Sequence, residues 1–219
     1  MNLALFDLDN TLLAGDSDFE WAQFLIEQGV LEREVYEARN KEFYDQYKAG
    51  TLNILEFLDF QLKPLSRYPR AVLDQWHARY MEKKIHPMLR DSARALVDKH
   101  KQDVRVLITA TNSFVTAPIA RLFGIEHLIA TEPEQRNGEF TGGVSGIPCF
   151  KDGKPQRLES WLAARSETLR SYEKTIFYSD SHNDLPLMQL VSHPVAVDPD
   201  DKLRAHALAA GWPVISLNT

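Results

Sequence analysis

The run Leu5-Phe6-Asp7-Leu8-Asp9-Asn10-Thr11-Leu12 constrains this chain more than any other segment. The stretch from Leu3 to Phe6 is apolar without alternation, so it reads as a strand buried on both faces, as inside a parallel sheet. Asp7 and Asp9 follow at once, at the carboxyl end of that strand, where open α/β sheets place their ligands. Carboxylates this close repel unless a cation or a shared proton offsets them. A hard cation such as Mg²⁺ takes oxygen ligands of this kind. Alone, the pair fits two acids capping a turn better than a cation site, and the later segments reverse that.

Later segments repeat the opening logic. Val104 to Ile108 is a β-branched run ending at Thr109, and Thr175 to Tyr178 ends at Ser179-Asp180. His127 to Ala130 and Pro194 to Val197 are shorter candidates. Helical patterns lie between them, over Met88 to His100, Phe114 to Phe123 with Gly124 as a stop, Pro155 to Ala164, and Leu185 to Leu190. Strands alternating with helices predict an α/β fold, a Rossmann-like, mainly parallel sheet flanked by helices.

Asp18 to Lys84 breaks that alternation. It reads as successive helices over Asp18 to Gln28, Glu32 to Ala49, Asn53 to Leu62 and Pro69 to Lys84, punctuated by Gly29, Gly50, Pro64 and Pro69. A single crossover needs only one helix, so the segment predicts an inserted α-helical cap subdomain over residues 16–86. The core is then 1–15 with 87–219. The alternative is that these helices simply cover one face of the sheet. Gly138, Gly142, Gly143 and Gly146 bracket short polar and β-prone pieces, which predicts a β-hairpin flap over 136–147.

Bulk properties narrow the class. The 219 residues suffice for one domain with a real core plus an insertion. A net charge of −6 argues against a nucleic-acid footprint and against binding to anionic membranes. No apolar run is long enough to span a bilayer, and the amino terminus enters a strand without a signal-like segment. One cysteine, Cys149, excludes an internal disulfide framework and a Cys-rich zinc site. It reads as a small apolar residue rather than a nucleophile. The expectation is a cytoplasmic protein; the sequence carries no signal of oligomeric state.

Four features follow in chain order: Asp7-Leu8-Asp9-Asn10-Thr11-Leu12, Thr109 after Leu107-Ile108, Lys154 opening a helix after Asp152-Gly153, and Asp180-Ser181-His182-Asn183-Asp184 after Ile176-Phe177-Tyr178. This set resembles the haloacid dehalogenase superfamily of phosphotransferases, and within it the phosphoserine-phosphatase-like branch. The resemblance implies a Mg²⁺-dependent phosphatase acting on a small phosphorylated metabolite. Asp7 is then the nucleophile that forms an aspartyl-phosphate, and Asp9 protonates the leaving alkoxide and later activates water. Mg²⁺ is held by the Asp7 and Asp180 carboxylates and the backbone carbonyl of Asp9. Lys154 sets a positive charge against the phosphate and Asp7, and Thr109 donates to a phosphoryl oxygen. Asp184 orients Lys154 or a metal-bound water.

Several positions have two readings. Thr109 and Asn112 fit a site contact or a helix cap. Asn183 fits a substrate contact or a turn. Lys154 alone would pass for a surface lysine, and His182 reads as a bystander. Trp21, Phe43, Tyr44 and Tyr47 fit a substrate pocket, or packing among the helices, which is the preferred reading. The phosphoserine enzymes hold their substrate's amino group with an acid after the first motif and its carboxylate with an arginine. Asp16 falls at the acidic position, whereas Gln61 stands where the arginine would be and cannot form its charged clamp. That departure predicts an amine-bearing phosphate without a carboxylate, such as histidinol phosphate or phosphoethanolamine. Phosphoserine phosphatase, a phosphotransferase or mutase of the same superfamily, and a phospho-accepting signalling module are the alternatives.

Overall fold

The computed structural model describes residues 1–218. Strands β1 (Leu3–Phe6), β2 (Val104–Asn112), β3 (His127–Arg136), β4 (Glu139–Ser145), β5 (Thr175–Ser179), β6 (His193–Val197) and β7 (Val214–Ile215) form one sheet, in the order β4-β3-β2-β1-β5-β6-β7. Neighbours run parallel except β3 and β4. The opening strand is the centre of the sheet: Leu3 to Phe6 pair with Val104 to Leu107 on one side and Thr175 to Tyr178 on the other. All four of its side chains are fully buried, which explains the unbroken apolar run.

Helices α1 (Ser17–Glu27), α2 (Arg33–Ala49), α3 (Ile54–Leu62) and α4 (Arg70–Tyr80) lie between β1 and β2. The rest of the chain supplies α5 (Asp91–Asp98), α6 (Ser113–Leu122), α7 (Gly153–Ala164), α8 (Leu185–Met188) and α9 (Asp201–Ala210). Alternation along β1 divides the core in two. Ala4 and Phe6 face a cluster with Leu96 and Val97 of α5 and Val115 and Ile119 of α6. Leu3 and Leu5 face Leu158 and Leu162 of α7, Leu187 and Met188 of α8, and Leu203 of α9. No helix among the described residues is long and apolar enough to cross a membrane.

The helices between β1 and β2 attach in two ways. Trp21 and Phe24 of α1, Leu58 and Leu62 of α3, and Leu73 and Tyr80 of α4 belong to the same buried cluster as Phe6 and Phe114. These helices thus interrupt the βα alternation and also share the core of one sheet face. After α3, Lys63–Arg67 form a short 3₁₀ turn that lies against β4. A Cβ on Gly142 would come within 3.3 Å of the Lys63 Cα. By contrast, α2 buries only Asn40 and Phe43. Its carboxyl end meets the α/β part through polar contacts. The Tyr47 hydroxyl donates to Ser181 Oγ at 2.7 Å, Asn183 Nδ2 to the Tyr47 carbonyl at 3.2 Å, and Lys151 Nζ to the Gly50 carbonyl at 2.6 Å. Lys202 Nζ donates to the Lys48 and Ala49 carbonyls. Cations there suit the unpaired carbonyls of a helix end.

Beyond α4 and α5, which end at Tyr80 and begin at Asp91 rather than at Lys84 and Met88, three features differ from the sequence expectation. The segment β3 runs on to Arg136 and turns through Asn137-Gly138, with φ of 53° and 85°, into antiparallel β4. Both residues in the left-handed region give the tight turn that matches strand twist. The hairpin therefore begins pairing at Glu132, ahead of the expected start at 136. The second difference is β2, which continues past Thr109 to Asn112. Third, α9 and β7 extend the alternation beyond the segments read from sequence.

Candidate active site

The carboxyl ends of β1 and β2, the turn after β5 that carries Asp184, and the start of α7 converge on one cavity of about 740 Å³, whose wall does not include Asp180. Asp7, Asp9, Asp16, Thr109, Lys154 and Asp184 all line it. Each is delivered by local backbone geometry. After β1 the chain wraps back, with the amides of Thr11, Leu12 and Leu13 all donating to the Leu8 carbonyl. Asn10 takes φ of 57° and its amide closes onto the Gly15 carbonyl at 2.9 Å. In β2 the register with β3 slips between Ile108 and Asn112. Thr109, Ala110 and Thr111 fall in that irregular stretch and line the cavity, a common use of bulges beside sites. Lys154 is placed by Gly153, where a Cβ would lie 2.0 Å from the Pro148 carbonyl oxygen. Only glycine fits there.

Lys154 is the electrostatic hub. It is 3% exposed. Its ammonium lies 2.8 Å from Asp7 Oδ1 and 2.7 Å from Asp184 Oδ2, and Ser179 Oγ also donates to Asp184 Oδ2 at 2.7 Å. Burial pulls the Lys154 pKa down, and Asp184 with Asp7 more than offsets it, leaving the ammonium above the usual lysine value. Burial pushes the Asp7 carboxyl up to about 7 despite Lys154. Asp180 is raised well above the carboxylate range by burial and by the charges of Asp7 and Asp184.

Asp9 is anchored at both oxygens: the Ser17 amide donates to Oδ1 at 2.6 Å and Thr111 Oγ1 to Oδ2 at 2.7 Å. Burial, then the Asp16 charge, raises it to about 6. Asp16 Oδ1 accepts from the Asp18 and Phe19 amides, so Asp16 caps α1 while lining the cavity.

Other expected residues turn elsewhere. Asn112 Oδ1 accepts from the Val115 amide at 3.1 Å, capping α6, and Asn112 is not on the cavity wall. Asn183 holds the Tyr47 carbonyl instead of lining the cavity. His182 Nδ1 lies 2.7 Å from Asp200 Oδ2. Phe43, Tyr44 and Tyr47 line the cavity, whereas Trp21 packs in the core against Tyr80 and Phe114. Cys149 is fully buried, with its thiol pushed up to about 12 by burial, an inert state.

Sequence reasoning missed Thr11 as a site residue, Thr111, Ser179 and the Ser17 amide. A Thr two residues after Thr109 in a strand-end motif was the available signal for Thr111; the others act through contacts that only the fold creates. Thr11 Oγ1 lies 3.3 Å from Asp7 Oδ2 and 3.1 Å from Asp180 Oδ1, and accepts from the Asp180 amide at 3.0 Å. Among the described residues no three His, Cys, Asp or Glu side chains gather as a ready metal cage. Asp7, buried, and Asp180, half-buried, are nonetheless two mutually repelling hard-oxygen donors joined through one hydroxyl. That donor chemistry fits a Mg²⁺ that keeps several waters.

Comparison with known proteins agrees with this arrangement. Residues 4–189 match the family of haloacid dehalogenase-like hydrolases. A histidinol-phosphatase of Neisseria meningitidis is 47% identical over 98% of this chain and 98% of its own length. A phosphoserine phosphatase of Mycobacterium tuberculosis is 30% identical over 96% of this chain and 69% of its own. A Bordetella pertussis protein of unknown function superposes with a TM-score of 0.93 at 44% identity, covering 99% of this chain and 98% of the other. With acids at the ends of β1 and β5 and a buried lysine between them, the chain belongs to the haloacid dehalogenase-like hydrolases, as a phosphatase of the phosphoserine-phosphatase-like branch.

Proposed function

We propose that this chain hydrolyses a small, amine-bearing phosphomonoester through an aspartyl-phosphate on Asp7, with histidinol phosphate as the lead substrate. The observation that carries the chemistry is the Lys154 ammonium held between Asp7 and Asp184 at the base of the cavity that Asp9 also lines. An Asp7 carboxylate oxygen attacks phosphorus, the ester P–O bond breaks, and Asp9 gives its proton to the leaving alkoxide. Asp9 then takes a proton from the water that attacks phosphorus, releasing inorganic phosphate and restoring Asp7. Lys154 offsets charge on Asp7 and the phosphoryl oxygens, with Thr109 as a hydroxyl donor to them. Asp7, Asp180 and the Asp9 carbonyl are the proposed Mg²⁺ ligands, and the bound cation supplies charge neutralisation to the phosphoryl group. Anchoring of Asp9 by Ser17 and Thr111 supports a fixed proton donor.

The substrate reading rests on the cavity wall and on one relative. Gln61 Nε2 donates to Asn40 Oδ1 at 3.4 Å, and both residues line the cavity. Lys41 pairs with Asp45, and Lys84 with Glu20 and Glu27. Among the cations there, Lys154 and Lys84 are held by acids and Lys41 is an exposed lysine without the fork of an arginine, which favours histidinol phosphate over phosphoserine. The similar Neisseria protein carries the name histidinol-phosphatase. In this reading residues 16–86 act as a cap whose chain crossings, at Leu13 to Asp16 and Ile85 to Pro87, stay fixed with α1 and α4 while α2 moves. The two crossings are tied by a bridge between Leu13 and Leu89 and by the Ala14 amide on the Met88 carbonyl at 2.9 Å. The test is phosphate release from histidinol phosphate, phosphoethanolamine, phosphoserine and a sugar phosphate, with Mg²⁺ and with chelator. The expected result is metal-dependent release, fastest from histidinol phosphate, and a loss of at least 1,000-fold in Asp7→Asn. Comparable turnover of phosphoserine and histidinol phosphate sinks the substrate reading, and full activity of Asp7→Asn sinks the mechanism.

A further inference from the structure

We propose that Asp18, rather than Asp16, is the residue that reads the cationic tail of the substrate. The proposal deepens the reading above and rests on it for the substrate class, a phosphate ester bearing a primary ammonium.

Asp18 lies in the first turn of α1, is 6% exposed, and lines the same cavity as Asp7 and Lys154. Each of the other charged side chains on that wall already has a partner among the described residues. Asp7 and Asp184 hold Lys154, Asp9 holds the Ser17 amide and Thr111, and Asp16 holds two amides of α1. Glu20 pairs with Lys84, Glu37 with Arg33, and Lys41 with Asp45. Asp18 alone has neither an ion pair nor a side-chain hydrogen bond among the described residues.

Two donors around α1 are already committed. The Tyr80 hydroxyl is spent on the Ser17 carbonyl at 2.7 Å. Lys84 sits between Glu20 and Glu27, at 3.1 and 2.7 Å. Burial raises the Asp18 pKa well above the carboxylate range, and the charges of Asp16 and Asp9 add to it. A buried carboxylate without a partner is costly, and a cation beside it reverses that cost. An ammonium entering the cavity tail-first would meet Asp18 as the uncommitted acceptor. Asp16, bound to the amides of its own helix, then serves to aim the first turn of α1, and with it the Asp18 side chain and the Ser17 amide that holds Asp9.

The experiment compares wild type, Asp18→Asn, Asp18→Glu and Asp16→Asn. Steady-state kinetics are taken on histidinol phosphate and on phenyl phosphate, which has no cationic tail. Thermal shift is measured with histidinol itself, which carries the tail without the phosphate. Asp18→Asn is expected to cut the preference for histidinol phosphate over phenyl phosphate at least tenfold, through KM rather than kcat. It should also abolish stabilisation by histidinol, with Asp18→Glu retaining part of both. Ligand-free Asp18→Asn should melt at or above the wild-type temperature, because folding must protonate the buried Asp18 carboxyl, a cost the amide does not carry. Asp16→Asn should melt lower, having lost part of a cap.

Retention of the preference in Asp18→Asn, or its loss only in Asp16→Asn, overturns the assignment and leaves the proposed function standing. Equal loss on both esters with a lowered melting temperature marks a structural role and also overturns it. A wild type that hydrolyses no ester, yet is stabilised by histidinol only while Asp18 is intact, removes the proposed function and keeps the assignment. A wild type with no preference and no response to histidinol removes both.

Discussion

The helical segment between β1 and β2 is held at two places by two kinds of force. At its root, α1 and α4 enter the apolar cluster under the sheet: Trp21 packs edge-on to Tyr80 and Phe114, with ring centroids 5.2 and 5.6 Å away. At its rim, α2 buries few of its residues and meets the α/β part through hydroxyls, amides and lysines. Apolar burial excludes water and has no cheap open state, whereas a polar contact exchanges with water at a net cost of about 1 kcal/mol per bond. The root is part of the fold, and the rim is the contact that would cost less to release. A cap working on this plan pivots on α1 and α4 and parts at Tyr47.

The largest effect should come from breaking the root. Trp21→Ala removes an indole that is 3% exposed, and should cost about 3–5 kcal/mol in denaturant unfolding. A loss below about 1 kcal/mol would show that α1 is not welded to the core, and the contrast with the rim would fail.

An intermediate test uses pH. His77 of α4 lies 3.1 Å from the Val115 carbonyl through Nε2, and burial lowers its pKa from 6.5. The unfolded chain therefore takes up a proton before the folded one does. His77 costs no stability above about 6.5, and the folded state loses stability as pH falls through that value toward the lower folded pKa. Melting temperatures between pH 8 and 5 should fall more steeply for wild type than for His77→Gln. Parallel curves would remove His77 from the root's account.

The smallest effect belongs to the rim. Tyr47→Phe deletes the hydroxyl that donates to Ser181 and should cost about 1 kcal/mol or less in unfolding. The same change should alter KM or kcat several-fold, because Tyr47 also lines the cavity. A stability loss as large as that of Trp21→Ala would mean that the rim is as rigid as the root.

Legibility in the sequence followed the same division. β1 and its acids were readable because four consecutive apolar residues at the centre of a parallel sheet leave no other pattern. Asp180 and Asp184 were readable for the same reason at β5. Asn112 had two readings because Asn caps helices as readily as it binds ligands, and here its oxygen accepts from Val115. Thr11 carries no local signature: its hydroxyl matters because Asp7 and Asp180, far apart in sequence, meet across it. The shared core was hidden too, since the helical periodicity of α1 and α4 shows an apolar face without saying what it rests on. Gly153 gave no sign that the Pro148 carbonyl occupies the place of its missing side chain.

The 3₁₀ turn Lys63–Arg67, lying against β4 at Gly142, has a bearing on how this enzyme survives in a crowded solution. β4 is the outermost strand of the sheet on its side, and an uncovered outer strand is a template for another chain. That turn leads into α4 of the root, so a cap that parted at Tyr47 would leave β4 covered. On that plan catalytic motion and protection from strand-to-strand self-assembly would fall to opposite ends of one insertion.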